Sequence, residues 1–294
     1  MIGHRLILPM FYLLLTLTLA AATTACGDRP SEQATRADPA TAAPEPVIEL
    51  DVPFVPTPHE IVARMLELGA VGPGDNLIDL GSGDGRIVIA AVRDRGARSA
   101  EGIDLDPQRV AEAEENAIAA GVADRTRFEQ GDLFDKDFSA ATVLTLYLTP
   151  EINLRLRPRI LETLLPGSRV VSHVFDMGAW VPDQQASMGS VNIYAWIVPA
   201  RIEGRWHLVR EGELSGIVEL EQSFQMVGGT ATLEEQEIPI FRGRVDGHRV
   251  SLQIGERTVT GIVDGERMTL AADDGTNWQA SRESGRSDEA PTSR

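Results

Sequence analysis

Short apolar segments alternate with amphipathic helical segments along the middle of this 294-residue chain, and this alternation limits the fold more than any other feature. Strands that alternate with helices form a mainly parallel sheet whose two faces the helices cover. Right-handed crossovers make such an α/β sheet doubly wound, and ligands bind at the carboxyl ends of its strands. The predicted strands are residues 76–80, 99–104, 126–130, 141–147 and 169–175, and the predicted helices between them are residues 86–95, 107–120 and 151–165.

A further helix is predicted before the first strand. Thr57 is suited to cap it, Pro58 to occupy its first position, and Glu60 to complete a capping box. Apolar residues at helical spacing follow, and Gly69 is expected to end the helix. The predicted buried face consists of Ile61, Met65 and Leu68.

The pattern changes after about residue 200, where short alternating strands and Asp-Gly or Gly-Gly turns replace the helices. Residues 243–252 and 261–270 form a weak internal repeat, and each reads as a strand, an Asp-Gly turn and a second strand. We therefore predict a sheet domain over residues 53–200 and a small antiparallel β sandwich or barrel over 201–283. Residues 284–294 are predicted to be a disordered tail.

The first 26 residues resemble a targeting segment. Arg5 supplies a positive charge, residues 6–20 are almost uncharged and apolar, and small residues lead to Cys26. This pattern is typical of a bacterial lipoprotein signal cut before a lipidated Cys26, although Thr23 stands where leucine is preferred. The alternatives are an uncleaved anchor or a wrongly assigned start. We expect an exported or membrane-anchored protein, with residues 27–52 as a linker, and a cytoplasmic one only if the start is wrong.

Composition excludes several kinds of site. The net charge is −17, which disfavours nucleic acid as a partner because phosphate binding needs clustered lysine and arginine. Cys26 is the single cysteine, so an internal disulfide and a cysteine-rich zinc site are excluded. The five histidines lie far apart without the spacing of metal ligands, and a metal is not implied.

The most informative motif is the loop at residues 79–85, Asp-Leu-Gly-Ser-Gly-Asp-Gly, which leaves a strand and enters a helix. Glycines let the backbone turn tightly and approach a ligand closely. The Gly-x-Gly-x-Gly spacing is one residue shorter than the dinucleotide fingerprint. Asp79 and Asp84 would repel a pyrophosphate, but they suit a ligand that carries an ammonium and a sulfonium. The helix start after Gly85 can attract a carboxylate.

Two further acids follow neighbouring strands of the predicted sheet. Asp104 ends the second strand, where a carboxylate can accept hydrogen bonds from two ribose hydroxyls. Asp132 follows the third strand, where it can accept a hydrogen bond from an adenine amine. The alternatives are a helix-capping role for Asp104 before Pro107 and a plain turn role for Asp132. The three loop glycines could likewise form only a structural turn.

These motifs resemble class I S-adenosylmethionine-dependent methyltransferases, which have a Rossmann-like sheet. More narrowly, the chain resembles the small family that includes the mitochondrial lysine methyltransferase of the ATP-synthase c-subunit and its prokaryotic relatives. The resemblance covers roughly residues 53–198, and the β-rich part departs from the eukaryotic pattern. The segments that carry it are VPTPHEIVARML (55–66), DLGSGDGRIVIAA (79–91), GIDLDP (102–107), GDLF (131–134), LYLTPEINLRLRP (146–158) and VVSHVFDMGAW (170–180).

The resemblance implies a role for each matching position. The loop residues would hold the methionine end of the cofactor, Asp104 would hold its ribose, and Leu105 would pack on its adenine. Asp132, with Leu133 beside it, would reach the adenine amine, and Tyr147 would face the methyl group and its acceptor. The loop residues concerned are Asp79, Gly81, Ser82, Gly83, Asp84 and Gly85.

Methyl transfer from a sulfonium by in-line displacement requires alignment of donor and acceptor rather than a covalent nucleophile or a metal. If the acceptor is a protein lysine, it must lose a proton first, and a dry pocket favours the neutral amine. Tyr147 could orient that amine, with His173 and Asp176 near it at the end of the fifth strand. The alternatives are sheet packing for Tyr147 and an ordinary strand position for His173.

Two other functions compete with methyl transfer. A catalytically retired, envelope-anchored protein could keep the fold for ligand binding or interaction, because S-adenosylmethionine is not expected outside the cytoplasm. The intact motif counts against this alternative. A dinucleotide-dependent dehydrogenase is the other candidate, and the glycine spacing and the acidic loop count against it.

Overall fold

The structure is a computed structural model that describes residues 54–283. The predicted signal with Cys26, the linker and the C-terminal tail lie outside the described residues. Within residues 54–283, no helix is both long and apolar enough to cross a bilayer.

The first half of the described chain is a seven-stranded sheet in the order β3-β2-β1-β4-β5-β7-β6, in which β1 to β5 run parallel. This confirms the predicted α/β, doubly wound fold class. The strands are β1 (Asn76–Leu80), β2 (Ser99–Asp104), β3 (Thr126–Gln130), β4 (Val143–Leu146), β5 (Arg169–His173), β6 (Gln184–Met188) and β7 (Val191–Ile197). The helices are α1 (His59–Leu68), α2 (Arg86–Arg95), α3 (Pro107–Ala119) and α4 (Pro150–Thr163).

The central strands are apolar because they are buried inside the protein. Every residue of β4 is buried, and so are four of the five residues of β1, because helices cover both faces of the sheet. The predicted face of α1 is also confirmed, since Ile61, Met65 and Leu68 are buried, and Gly69 ends the helix as expected. This packing fixes the carboxyl ends of the strands at one edge of the sheet.

The capping box predicted for α1 is wrong. The helix begins at His59 with Pro58 at the cap position, and no side chain caps it. Thr57 instead places its hydroxyl oxygen 3.2 Å from Nδ1 of His173, far away in the sequence. This contact with a residue distant in sequence therefore takes the place of the local capping hydrogen bond that the sequence pattern predicted.

The hairpin of β6 and β7 was not among the predicted strands. β7 pairs antiparallel with β5, so a reversed strand lies inside the otherwise parallel sheet. The predicted strand over 169–175 also ends earlier, at His173, because the next residue, Val174, has a φ of +69°. A residue with this positive φ lies outside the β region and cannot continue a strand.

The second half is a closed barrel of eight antiparallel strands, which decides between the sandwich and the barrel left open by the sequence. β15 pairs with β8 and closes it, and the repeated Asp-Gly hairpins are confirmed. Alternate residues point inward and form an apolar core that contains Trp206, Val218 and Leu270. The strands are β8 (Gly204–Arg210), β9 (Glu213–Ser223), β10 (Met226–Leu233), β11 (Gln236–Asp246), β12 (Arg249–Ile254), β13 (Arg257–Asp264), β14 (Arg267–Ala272) and β15 (Asn277–Arg282).

One end of the barrel is bonded to the sheet region by hydrogen bonds and an ion pair. Gly247, in the β11–β12 turn, accepts a hydrogen bond of 2.8 Å from the backbone N–H of Ala200. Gln225 donates to the carbonyl of Val181 at 2.6 Å, and Arg244 pairs with Asp183. The turns β8–β9, β10–β11, β12–β13 and β14–β15 therefore lie at the opposite end, away from the sheet.

Candidate active site

A cavity opens at the carboxyl ends of β1, β2 and β4, where the sheet topology places the predicted loop residues. Most of the predicted site residues line it. Gly85, His173 and Asp176 do not belong to the lining. The predicted residues in the lining are Asp79, Gly81, Ser82, Gly83, Asp84, Asp104, Leu105, Asp132, Leu133 and Tyr147.

The glycine-rich loop folds back against β2. The backbone N–H groups of Gly81 and Ser82 both donate to the carbonyl of Ile103, at 2.8 and 2.9 Å. Gly81 has a φ of +78°, and a Cβ there would lie 2.9 Å from the side chain of Leu148. Glycine at this position leaves open the space above the strand end.

At Gly85, glycine is needed for close packing rather than for open space in the cavity. It stands immediately before α2 with a φ of +78°, and a Cβ would lie 2.7 Å from the ring of Phe128 and 2.9 Å from Ala113. The residue permits close packing of α2 against α3 and β3. Its position beneath the loop explains why it does not line the cavity.

Asp79 is the most deeply buried acid of the cavity, with 2% of its surface exposed. Burial raises the pKa of its carboxyl to about 7, opposed by a 2.6 Å hydrogen bond from the hydroxyl of Thr145. The negative charges of Asp104 and Asp84 raise the pKa further. A buried carboxylate without a cationic partner is unfavourable, so this position suits a positively charged ligand group.

The Asp104 carboxylate is held by the backbone on two sides. Oδ2 accepts from the N–H of Gly83 at 2.7 Å, and Oδ1 accepts from the N–H of Asp106 at 3.0 Å. Each carboxylate oxygen retains a further lone pair for a ligand hydroxyl. The helix-capping alternative is wrong, because the cap of α3 is Asp106, which accepts from the N–H of Gln108.

Asp132 combines a turn role with a place in the cavity. Its Oδ1 accepts a 2.8 Å hydrogen bond from the N–H of Phe134, and the side chain remains exposed to the opening. Asp84 also lines the cavity, but its carboxylate is paired with the guanidinium of Arg86. That pairing holds the pKa of Asp84 below its usual range, although burial opposes the shift.

A segment that the sequence did not assign to the site, Phe54–Thr57, also lines the cavity and is called the strap below. The carbonyl of Thr57 accepts a 2.8 Å hydrogen bond from Arg86. At the other end, the Phe54 ring packs so closely on Gly83 that it leaves no room for a Cβ there. The guanidinium of Arg109 stacks 4.9 Å from the centre of the same ring. The strap therefore closes one side of the cavity.

Tyr147 and His173 pack together beside the cavity. Their ring centres are 4.0 Å apart at an angle of 43°. Burial lowers the pKa of His173 to about 4, so the imidazole is neutral at physiological pH. His173 thus supports Tyr147 and the strap through Thr57, while Tyr147 itself lines the cavity.

Asp176 turns away from these groups. It is exposed, and its Oδ1 accepts a 2.9 Å hydrogen bond from the N–H of Gly178. The backbone before it makes a three-residue turn around Val174, in which the N–H of Phe175 donates to the carbonyl of His173 at 2.9 Å. Asp176 is therefore placed to shape the loop after β5.

Asn153, which the sequence did not single out, holds that turn. Its side chain is fully buried and donates to the carbonyl of Phe175 at 3.2 Å and to that of Asp176 at 3.4 Å. It also donates to the hydroxyl of Ser172 at 3.2 Å. The first turn of α4 thereby fixes the strained backbone that follows His173.

Comparison with known proteins identifies the family. The model of the ANTKMT methyltransferase domain matches residues 79–184. A protein-lysine N-methyltransferase of Saccharolobus islandicus strain REY15A is 39% identical over 151 residues, which cover 50% of this chain and 94% of that enzyme. The chain belongs to this family of S-adenosylmethionine-dependent methyltransferases. The resemblance inferred from the motifs is thereby confirmed, and so is S-adenosylmethionine as the cofactor.

Other relatives of this methyltransferase match the same half of the chain. The mouse lysine N-methyltransferase of the ATP-synthase c-subunit is 33% identical over 153 residues, or 51% of this chain and 60% of that enzyme. The crystal structure of an RNA methyltransferase from Salinibacter ruber in complex with S-adenosyl-L-homocysteine is 54% identical. That match covers 50% of this chain and 96% of the other, with a TM-score of 0.49. The family model ends at residue 184, before the barrel begins.

The residues present in the cavity fit this cofactor. The buried Asp79 offers a site for a cationic group, and the cofactor carries an ammonium and a sulfonium. Asp104 offers oxygens for ribose hydroxyls, and Gly81 leaves room that a Cβ would fill. When bound, the cofactor supplies a methyl group that its sulfonium already activates for transfer.

Proposed function

We propose that this methyltransferase acts on the ε-amino group of a lysine in a protein acceptor, by in-line displacement. The observation that carries the proposal is the pairing of Tyr147 with a neutral, buried His173 at the cavity wall. The two relatives named for lysine methylation support it. An uncharged aromatic wall near the carboxylates of Asp79 and Asp104 does not repel an incoming lysine as a protonated histidine would.

The chain's own groups suggest how the acceptor is prepared. A lysine ammonium that enters the cavity loses hydration, which favours the neutral and nucleophilic amine. With a pKa near 4, His173 is a poor base, and the released proton passes to solvent. Tyr147 has a hydroxyl that can hold the amine by a hydrogen bond, and His173 fixes the ring that carries this hydroxyl. In-line transfer then depends mainly on this alignment.

The chemical identity of the methylated group tests the proposal. The purified full chain would be incubated with radiolabelled S-adenosylmethionine and a heat-treated bacterial extract. After nuclease digestion and acid hydrolysis, the label is expected in methylated lysine. Label in methylarginine, or label removed by nuclease, would contradict the lysine assignment while leaving methyl transfer intact.

A substitution at Tyr147 tests the residue role. Tyr147→Phe is expected to slow methyl transfer by about tenfold. This factor corresponds to the loss of roughly one hydrogen bond to a group that carries or develops charge. Tyr194→Phe is the matched control, because Tyr194 packs on Trp196 in β7 and does not line the cavity. Equal rates for Tyr147→Phe and the unchanged protein would remove Tyr147 from the mechanism.

A further inference from the structure

The barrel has one covered end and one open end. The end that carries Gly247 packs so closely on the sheet that a Cβ there would lie 3.0 Å from the backbone of Gly167. At the opposite end, the four turns described above surround a cavity of about 1000 Å³, called the barrel mouth below. Cavities of several hundred to about 1000 Å³ are typical of ligand sites in proteins.

The mixed lining of the barrel mouth includes six apolar side chains. Leu214 pairs with Val209 at the open end of β9, beyond a register shift in the β8–β9 ladder, and 63% of its surface is exposed. Its exposure follows from its place at the open end, where no described residue covers it. The other apolar side chains of the lining are Ile217, Leu233, Ile238, Ile254 and Trp278.

The edge of the mouth is acidic. Five exposed glutamates lie there, and within residues 54–283 none of them takes part in an ion pair. Of the two arginines that also line the mouth, Arg257 is paired with Asp274 at 3.0 Å, and only Arg210 offsets the glutamates. The glutamates are Glu211, Glu213, Glu234, Glu235 and Glu256.

Three of these glutamates occupy backbone positions that disfavour them. Glu211, Glu234 and Glu235 have φ values of +53°, +51° and +65°, where glycine or asparagine is usual in hairpin turns. At the covered end, Gly247, Gly265 and Phe224 have this conformation, and at the mouth Gly255 has it as well. These three glutamates therefore occupy positions that local backbone preferences oppose.

We propose that the barrel mouth is a docking site for a partner polypeptide segment that presents lysine or arginine side chains around an apolar residue. The apolar side chains of the lining offer a place for the apolar anchor, and the exposed carboxylates at the edge complement the cations. The same carboxylates disfavour nucleic acid and anionic lipid surfaces. The site is separate from the cofactor cavity, and its existence does not rest on lysine as the methyl acceptor.

Binding of two charge-reversed peptides to the full chain tests the proposal. A short peptide of alternating lysine and leucine is expected to bind saturably, and one of alternating glutamate and leucine is not. Glu234→Gln with Glu235→Gln should weaken binding of the lysine peptide about five- to tenfold, since each exposed pair contributes modestly. Leu214→Ser should also weaken it, at little cost to folding because the side chain is already exposed.

The matched control is Glu114→Gln with Glu115→Gln, two adjacent exposed glutamates on α3. This control should leave the affinity unchanged, and saturation with S-adenosylhomocysteine should not displace the peptide. Equal weakening by the control pair, stronger binding of the glutamate peptide, or no binding of the lysine peptide by folded protein would each overturn the proposal.

Discussion

The two halves of the molecule both gather carboxylates at an open edge, but they hold them in different ways. At the sheet edge, Asp79 is buried and bonded to Thr145, and Asp104 is fixed by two backbone N–H groups. At the barrel mouth, glutamates such as Glu234 and Glu235 are exposed on turns. Buried, fixed carboxylates select a ligand through directed bonds, whereas exposed ones act mainly through summed charge that salt screens.

The carboxylates of the two halves also affect folding stability differently. A buried carboxylate costs stability that ligand binding can recover, whereas an exposed one costs little. The sheet edge is therefore where pH and ligand should change folding stability most. At the barrel mouth, folding stability should instead change with substitutions that alter the backbone preference of the turns.

The largest expected effect concerns Asp79. It should make the folding stability of the protein without bound cofactor depend on pH. Its folded pKa of about 7 lies above the ordinary aspartate value of 3.8, so the folded state binds the proton more tightly. The resulting contribution to stability is complete below about pH 4 and is lost as the pH rises through about 7. At roughly 1.36 kcal/mol for each pKa unit, the loss approaches about 4 kcal/mol.

Urea unfolding at pH 5 and at pH 8 would measure this effect. The loss of stability between the two pH values should be much smaller in Asp79→Asn than in the unchanged protein. Glu234→Gln at the barrel mouth should leave the loss as it is. An equal loss in Asp79→Asn would show that Asp79 is not the group responsible.

The next effect concerns Asn153 beneath the turn that follows His173. Asn153→Ala removes the side-chain donor to the carbonyl of Asp176 and one of the two donors to that of Phe175, which keeps the Ser172 hydroxyl, and it should cost about 2–3 kcal/mol of unfolding free energy. The same substitution at the exposed Asn277 of the barrel should cost less than about 0.5 kcal/mol. Thermal or urea unfolding of both variants would show whether the buried contact stabilises the fold, and similar losses would contradict this.

A smaller effect, of opposite sign, is expected at the barrel mouth. Replacing Glu234 by Asn and Glu235 by Gly places residues suited to positive φ in the β10–β11 turn and should raise stability by about 1–2 kcal/mol. Affinity for S-adenosylmethionine should not change. A destabilised variant would mean that the glutamates hold the turn by contacts that outweigh the backbone preference.

The smallest effect is predicted for the strap. Thr57→Val removes the hydroxyl that lies 3.2 Å from Nδ1 of His173 and should weaken cofactor affinity by about fivefold, the value of roughly one neutral hydrogen bond. Thr126→Val, whose hydroxyl bonds to the carbonyl of Val122 away from the cavity, is the control. Calorimetric titration of both variants would measure the difference, and equal affinities would remove the strap from cofactor binding.

Local chain patterns predicted the sheet and most of the residues that the structure brings together around the cavity at the strand ends. The loop of residues 79–85 lies between a strand and a helix that are adjacent in sequence, so its chemistry could be inferred without the rest of the fold. The β-rich half was also recognisable from its Asp-Gly turns. Barrel closure was not, because it depends on pairing between β8 and β15, which lie far apart in the chain.

The misread positions share a physical cause, which is competition from distant partners. Thr57 satisfied a local capping pattern, but its hydroxyl is near His173 in the structure. Asn153 looked like any polar residue of a helix, and only the folded chain brings the turn after β5 against it. The strap was missed for the same reason, because Phe54 reaches Gly83 only when the sheet has formed.

The most direct test of the cofactor site is a calorimetric titration of S-adenosylmethionine into the purified full chain and into Asp104→Ala. We expect saturable binding that the substitution weakens about tenfold or more, the loss of a charge-assisted contact to the ribose. Absence of binding at millimolar ligand by a well-folded sample would contradict the assignment. It would instead favour a retired fold that serves binding or interaction.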